Sequence, residues 1–184
     1  MINHLFTSSR LGFRNWQEQD ILKMVEINSN GEVMKYFPAP ATPEQTEDFT
    51  QRMQNQYLMR RHCYFAVDIL QSSEFIGFIG LSFQDFESAY TPFVDVGWRL
   101  APGYWNKGYA TEGAKRCLEY GFNKLGLSEI YATAPLANKK SWHIMKKLGM
   151  YQVNTFLHPA LKGNANLEQC VLYKAQAKVL QARY

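Results

Sequence analysis

The chain has 184 residues, of which 46% are hydrophobic and 15% aromatic, and it carries a formal net charge of +4 at neutral pH. This composition excludes a disordered protein, and the length fits a single domain over residues 1–184 with a core of its own. No apolar run reaches the roughly 20 residues of a transmembrane helix, and the charge is too small to indicate a nucleic acid as a direct partner.

The first third of the chain predicts a short strand followed by two helices. The strand covers residues 11–14, and the first helix covers residues 16–29. Thr42 suits the N-cap of the second helix, because Pro43 fits its first position and Gln45 can complete a capping box. The apolar stripe expected on the first helix comprises Ile21, Leu22, Val25 and Ile27.

Three strands are predicted in the middle of the chain. Residues 63–70 and 75–83 are rich in aromatic and β-branched residues, and the short polar turn between them indicates a hairpin. Residues 93–100 alternate between two faces, as a half-buried strand does. One face carries Val94, Val96, Trp98 and Leu100, and the other carries Asp95, Gly97 and Arg99.

From about Tyr109 the apolar spacing becomes helical, and Gly126 supplies the end of that helix. A strand over residues 128–134 follows. Asn138 then suits the N-cap of a helix that Gly149 terminates. Two last strands fit near residues 150–156 and 168–174. This order predicts an α+β fold around one mixed sheet.

Cysteines and histidines form no recognisable metal site. No HExxH or Cys₂His₂ spacing can be assembled from them, so we expect no metal. There are three cysteines, Cys63, Cys117 and Cys170, and no two form a CxxC pair. This pattern favours cysteines that serve as small core residues in a protein of a reducing compartment. The first residues also lack the basic and apolar regions of a signal peptide, so we expect a cytoplasmic protein.

Residues 94–112 predict a strand, a glycine-bearing loop and the start of a helix. Such a junction gathers unpaired backbone N–H groups and the positive end of a helix dipole, which suits a phosphate. It is not a Walker A loop, because Tyr109 and Ala110 stand where lysine and Ser/Thr are required. It is not a Rossmann fingerprint either, since the GxGxxG order is absent. An ordinary tight turn explains the glycines equally well.

The loop and the downstream helix resemble motifs A and B of the GNAT superfamily of N-acetyltransferases. Residues 108–112 are most similar to the Rim-type branch, the ribosomal-protein N-terminal acetyltransferases. Arg10-Leu11 with Arg14 in the first strand and Val171-Leu172-Tyr173 in the final strands also fit. Asn106 departs from the branch, which usually has glycine there. The matching segments are Trp105-Asn106-Lys107-Gly108-Tyr109-Ala110-Thr111-Glu112, Asn138-Lys139-Lys140-Ser141 and Lys147-Leu148-Gly149-Met150.

The resemblance implies a GNAT fold, in which a mixed, mostly antiparallel central sheet is flanked by helices, and acetyl-coenzyme A as acyl donor. It places the pyrophosphate on the loop, the pantetheine along the strand that ends at Leu100, and Asn138 against the cofactor. The cofactor-binding residues implied are Trp98, Arg99, Leu100, Trp105, Asn106, Lys107, Gly108, Tyr109, Ala110, Thr111 and Asn138. The alternative for Asn138 is a purely structural role as the N-cap of its helix.

Two catalytic residues follow from the resemblance. Ser141 is expected to protonate the departing thiolate, with local backbone bonding of its hydroxyl as the alternative. Asp95 is expected to take the amine proton, with a carboxylate on a solvated strand face as the alternative. His158 and Glu168 are weaker candidates for the base.

The acceptor is expected to be a primary amine, either a protein or peptide N-terminal α-amine or a small-molecule amine. An α-amine, with a pKa of about 7.7–8.0, loses its proton more easily than lysine at about 10.4. Phe37 and Trp142 are expected near the acceptor, although core packing explains Trp142 as well. A non-catalytic module that binds acyl-CoA is the alternative from another functional class. A homodimer is compatible with the sequence, but nothing requires one.

Overall fold

The computed structural model describes residues 3–177, in which eight strands form one sheet flanked by four helices. The strands are β1 (Phe6–Thr7), β2 (Leu11–Arg14), β3 (Tyr64–Ile69), β4 (Phe75–Gln84), β5 (Phe93–Leu100), β6 (Glu129–Pro135), β7 (Tyr151–Leu157) and β8 (Gln169–Gln176). The helices are α1 (Glu18–Ser29), α2 (Pro43–Arg60), α3 (Tyr109–Asn123) and α4 (Lys139–Lys147).

The strand order across the sheet is β1-β2-β3-β4-β5-β6-β8-β7. Every neighbouring pair is antiparallel except β5 and β6, which are parallel and are connected through α3. The predicted α+β class and the mixed, mostly antiparallel sheet are therefore confirmed. The two-residue strand β1 was not predicted, because its pairing with β2 leaves no periodic signal in so short a segment.

Helix α2 begins as its sequence predicts. The Thr42 hydroxyl accepts a hydrogen bond from the Gln45 backbone N–H at 3.2 Å, and the Gln45 side chain accepts one from the Thr42 N–H at 2.9 Å. This capping box satisfies two donors that would otherwise be unpaired at the helix start. The same element therefore starts at Pro43 both in the prediction and in the structure.

The core lies mainly between the sheet and α3. Two glycines, Gly113 and Gly121, let this helix approach the sheet closely, because a Cβ at Gly113 would lie 2.4 Å from the Cδ1 atom of Ile79. The three cysteines are buried and free, as predicted. The predicted stripe on α1 is wrong in part, since Leu22 is 75% exposed whereas Met24 is fully buried.

A buried charge network joins β2, β3 and α1. The Arg14 guanidinium forms two-pronged contacts with Asp20, at 2.6 and 2.9 Å, and with Asp68, at 2.7 and 2.8 Å. His4 adds a contact to Asp68 at 3.0 Å. Burial alone would lower the pKa of Arg14, but the hydrogen bonds to the two carboxylates raise it above its ordinary value. Arg14 is therefore the shared counter-charge of two buried carboxylates.

Helices α1 and α2 cover the sheet face opposite to α3. Phe49 of α2 packs on the rings of Phe78 and Tyr64, with ring centroids 5.1 and 6.4 Å apart. Trp16 packs edge-on against Phe49 and donates its indole N–H to the Tyr64 carbonyl at 2.7 Å. The side chains of Tyr64 and Phe78 thus form a fixed aromatic floor beneath these helices.

Candidate active site

The sheet opens between its two parallel strands. The register of β5 with β6 consists of one pair, Asp95 with Tyr131, although β5 continues to Leu100 and β6 to Pro135. The β4 side of β5 is paired along its whole length. The stretch after Asp95 therefore presents backbone groups toward β6 that have no ladder partner there. An extended molecule with amide groups can bind along such an edge.

The loop after β5 is held in shape by its own side chains. The Trp105 indole N–H donates to the Leu100 carbonyl at 2.7 Å, which folds the loop back on the end of β5. Asn106 has a φ of 58° and Gly108 a φ of 82°, both in the left-handed region. Glycine enters that region freely, and asparagine is among the few other residues that do so readily. Asn106 therefore keeps the backbone that glycine would adopt.

The start of α3 is a cluster of free donors. Between residues 3 and 177 no acceptor is found for the backbone N–H groups of residues 107–111, and the first intrahelical bond runs from Glu112 N–H to the Gly108 carbonyl. The Glu112 carboxylate is bound by Arg10 at 2.7 Å and by the Ser8 hydroxyl at 2.7 Å. Its charge is thereby balanced, and the helix start keeps the positive potential that suits a phosphate.

Helix α4 brings two further groups to this end of the sheet. The Asn138 side-chain oxygen accepts from the Ser141 N–H at 3.3 Å, so the predicted N-cap is present and leaves the amide NH₂ unengaged. The Ser141 hydroxyl forms no hydrogen bond within the described residues, so the alternative of local backbone bonding is not observed. The Lys140 ammonium lies 5.5 Å from the centre of the Trp105 ring, which places a cation beside the loop.

Asp95 is buried, with 6% of its surface exposed, and the interpretation of a solvated strand face is wrong. Its Oδ1 atom accepts hydrogen bonds from the Tyr64 hydroxyl at 2.7 Å and from the Gln84 amide at 3.0 Å. Burial raises the pKa of Asp95 to about 6, against the lowering effect of these two bonds. A carboxylate with that pKa is ionised at neutral pH and can accept a proton.

The ring of Tyr64 reaches Asp95 because residue 97 has no side chain. A Cβ at Gly97 would lie 2.7 Å from the Cε1 atom of that ring, so alanine does not fit beneath it. Tyr64 and Gln84 were not identified from the sequence as site residues. The strand alternation places both on the face of Asp95, but pairing between distant strands is needed to bring them together.

Comparison with known proteins agrees with this geometry. A family model for the acetyltransferase (GNAT) domain matches residues 10–151. The chain belongs to the GNAT acetyltransferase family. It is 33% identical over 159 residues to the uncharacterized N-acetyltransferase YnaD of Bacillus subtilis, covering 86% of this chain and 89% of that one. The chain is thus an acetyl-CoA-dependent N-acetyltransferase with a GNAT fold.

Other family members differ in the amine they are named for. A GNAT-family acetyltransferase from Bacillus anthracis has a TM-score of 0.76 and 29% identity, covering 94% of this chain and 98% of that one. The spermidine N(1)-acetyltransferase of Escherichia coli K12 is 26% identical, covering 79% and 75%. The ribosomal-protein-S5-alanine acetyltransferase of Vibrio fischeri has a TM-score of 0.73 and 19% identity, covering 93% and 95%, which shows the fold alone.

The remaining predicted residues are half-buried and make local contacts. His158 caps a short 3-10 turn by accepting from the Ala160 N–H at 3.2 Å, and Glu168 accepts from the Gly163 N–H at 3.1 Å. Both side chains thus have local structural partners. Trp142 packs on the core and donates its indole N–H to the Leu136 carbonyl at 3.3 Å, which favours the packing interpretation.

The side chain of Arg99 makes contacts that the sequence did not predict. Its backbone belongs to the strand edge expected for the cofactor, but its side chain lies on the face of α1. There it donates to the Asn28 side-chain oxygen at 2.6 Å, and its Cζ atom is 4.2 Å from the centre of the Phe37 ring. Phe37, the residue expected near the acceptor, therefore contacts a cation.

Residues 3–177 contain no group of three or more His, Cys, Asp or Glu side chains that could hold a metal ion. None of the helices in this range is long and apolar enough to cross a membrane.

The positive φ of Asn106 leads to a first prediction. Asn106→Gly is expected to leave the KM for acetyl-CoA within about twofold, because glycine adopts the same backbone. Asn106→Val is expected to raise that KM about 5- to 20-fold, since a β-branched residue at positive φ costs on the order of 1–3 kcal/mol of local strain. Initial rates at varied acetyl-CoA measure both. Equal values for the two variants would show that this backbone conformation does not matter for the cofactor.

Proposed function

We propose that this enzyme acetylates the α-amine at the N-terminus of a peptide or protein, by direct transfer from acetyl-CoA in a ternary complex. The observation that carries the proposal is the buried Asp95 carboxylate at the point where β5 and β6 separate. Its pKa of about 6 lies within about two units of that of an α-amine, whereas a lysine amine is more than four units away. Proton transfer from an α-amine is therefore the easier task for this base.

The cofactor would occupy the opening in the sheet. The free N–H groups of residues 107–111 fit a pyrophosphate, and Lys140 stands beside them as a counter-charge. The edge of β5 over residues 98–100, which has no ladder partner on β6, fits the amide-bearing pantetheine, and the side-chain NH₂ of Asn138 would make a further contact. Trp105 and Tyr109 shape the loop rather than carry charge. The acetyl-CoA thioester supplies the acyl group.

Asp95 would act as the base for the amine, and Ser141 as the acid for the thiolate. Both hydrogen bonds to Asp95 go to Oδ1, which leaves Oδ2 without a side-chain partner. Oδ2 is the atom that would take the proton from the amine as the nitrogen attacks the thioester carbon. The Ser141 hydroxyl, free of other bonds, would give a proton to the departing thiolate. The acetyl group moves from sulfur to nitrogen, and no group on the protein is acylated.

The proposal yields a prediction for Ser141. Ser141→Ala is expected to lower kcat about 10- to 100-fold, less than most lost general acids, because a thiolate is a fairly good leaving group. The affinity for acetyl-CoA, measured by calorimetry, is expected to stay within about twofold. Ser141→Thr retains the hydroxyl and serves as the matched control. An alanine variant with wild-type kcat would remove Ser141 from the mechanism.

The identity of the acceptor is tested with a panel of amines and acetyl-CoA-dependent thiol release, with mass spectrometry of each product. The panel contains peptides that begin with Ala, Ser or Met, together with spermidine, free amino acids and amino sugars. Acetylation of a peptide α-amine supports the proposal and the resemblance to the Rim-type branch. Acetylation of a small amine alone, as the relative named for spermidine would suggest, overturns the proposed acceptor. Acetyl-CoA binding without turnover on any acceptor would favour a non-catalytic module.

A further inference from the structure

The side chain of Arg99 contains an unpartnered donor. Its Nε atom is the one buried side-chain nitrogen or oxygen within residues 3–177 that has no hydrogen-bond partner. The rest of the guanidinium is held in place, because Nη1 donates to Asn28 and the group lies between the rings of Phe37 and Phe78, 4.2 and 5.4 Å from their centres. Leaving a buried donor unpaired is unfavourable, so a rigidly held one indicates an absent acceptor atom.

The charge of this group persists at neutral pH. Burial lowers the pKa of Arg99 to about 10, which is still well above neutrality. Nη1 is engaged by Asn28, and the Nε–H has a single fixed direction within the planar guanidinium. A negatively charged or carbonyl oxygen is the partner that such a donor prefers.

Arg99 lies on the same sheet face as the proposed base. Residues 95, 97 and 99 alternate onto one side of β5, and the Cα atoms of Asp95 and Arg99 are separated by about 13 Å at the usual rise of a strand. The Tyr64 ring, which binds Asp95, covers Gly97 between them. Asp95 and Arg99 therefore lie on either side of Gly97 along one face of β5, beneath α1 and α2.

We propose that Arg99 is a specificity-determining residue, whose Nε–H binds a carbonyl or carboxylate oxygen that the acceptor carries close to its reacting amine. The inference rests on the proposed function and states which acceptors it takes. A peptide offers such an oxygen in its first carbonyl groups, whereas a polyamine offers only further cations, which the guanidinium repels. The Phe37 side chain, which contacts the guanidinium, is 40% exposed in the segment between α1 and α2.

The test measures the KM of two acceptor peptides for the wild-type enzyme and for Arg99→Gln. The acceptors are an alanyl peptide and the same peptide with a neutral trans-alkene in place of its first peptide bond. For the wild-type enzyme, the KM of the second peptide is expected to be about 10- to 100-fold higher, as for the loss of one hydrogen bond to a charged group. Arg99→Gln is expected to raise the KM of the first peptide by a similar factor and to leave the two peptides nearly equal. The KM for acetyl-CoA and the kcat are expected to change less than about twofold.

Arg52→Gln, on the exposed face of α2, is the matched control and is expected to change none of these constants. Wild-type values that are equal for the two peptides would overturn the inference even if Arg99→Gln did not fold. Acetylation of amino acids or sugars in place of peptides, with an Arg99-dependent KM, would overturn the proposed acceptor and support the oxygen-binding role. Efficient turnover of spermidine alone would overturn both.

Discussion

Replacing Asp95 by asparagine is expected to lower kcat about 100- to 1,000-fold, the usual contribution of a positioned general base. The shape of the side chain and its bonds to Tyr64 and Gln84 are kept, so the affinity for acetyl-CoA is expected to remain within about twofold. In the wild-type enzyme, kcat/KM is expected to fall as the pH drops below about 6, because protonated Asp95 cannot accept a proton. In Asp95→Asn, the residual kcat/KM is expected to lack this decrease below about pH 6.

The same substitution is expected to stabilise the fold at alkaline pH. Burial raises the pKa of Asp95 from its ordinary value to about 6, so the folded chain binds this proton more tightly than the unfolded chain. Stability is therefore full below the unfolded pKa near 4 and is lost as the pH rises to about 6, by up to about 3 kcal/mol. Urea unfolding at pH 8 measures the gain in Asp95→Asn.

Tyr64→Phe is the matched control for this carboxylate. It retains the ring above Gly97 and removes one of the two hydrogen bonds that lower the pKa of Asp95. The variant is expected to stay active and to shift the acidic limb of the pH profile upward. An Asp95→Asn enzyme with wild-type activity, or one destabilised at pH 8, would contradict the role assigned to Asp95.

Replacing Arg14 by alanine is expected to destabilise the protein by about 3–5 kcal/mol, because two buried carboxylates, Asp20 and Asp68, lose their shared counter-charge. Equilibrium urea unfolding measures this free energy. Arg52→Ala, at an exposed position of α2, is expected to change it by no more than about 0.5 kcal/mol.

An Arg14→Ala loss below about 1 kcal/mol at neutral pH would mean that the cavity admits water and that the network contributes little. A larger loss can come from unpaired charge or from lost packing. Adding Asp20→Asn and Asp68→Asn to the Arg14→Ala variant separates these two causes. It removes both carboxylate charges, so it is expected to recover part of the lost stability if unpaired charge is the cause. No recovery would assign the loss to packing.

Local signals in the sequence predicted most elements and the loop of the site. Thr42 and Asn138 are caps in both prediction and structure, because a cap depends on residues within three positions of itself. The junction at Gly108 was predicted for the same reason, since its strand, glycine and helix are consecutive. Asn106, where the resembled branch usually has glycine, has a positive φ in the structure. Asparagine permits that backbone angle but does not require it, so the residue type alone did not predict it.

The surroundings of the proposed site residues could not be predicted in this way. Periodicity assigns polar residues of a helix to solvent, and on α1 it therefore placed Leu22 inside and left out Asp20 and Asn28, which are buried. Their partners, Arg14 and Arg99, lie on strands, and Arg99 is distant in the chain. Only the assembled sheet shows that α1 packs on these two arginines and therefore has Asp20 and Asn28 on its buried face.

The single registered pair between β5 and β6 divides the sheet into two hydrogen-bonded halves. One half extends from β1 to β5, and the other contains β6, β8 and β7. A bound molecule with its own amide groups in the gap would act as a partial ninth strand and couple the two halves. In amide hydrogen exchange, the C-terminal half would then open independently in the free enzyme and together with the rest once acetyl-CoA is bound. The acyl donor would thus be part of the tertiary structure as well as a reactant.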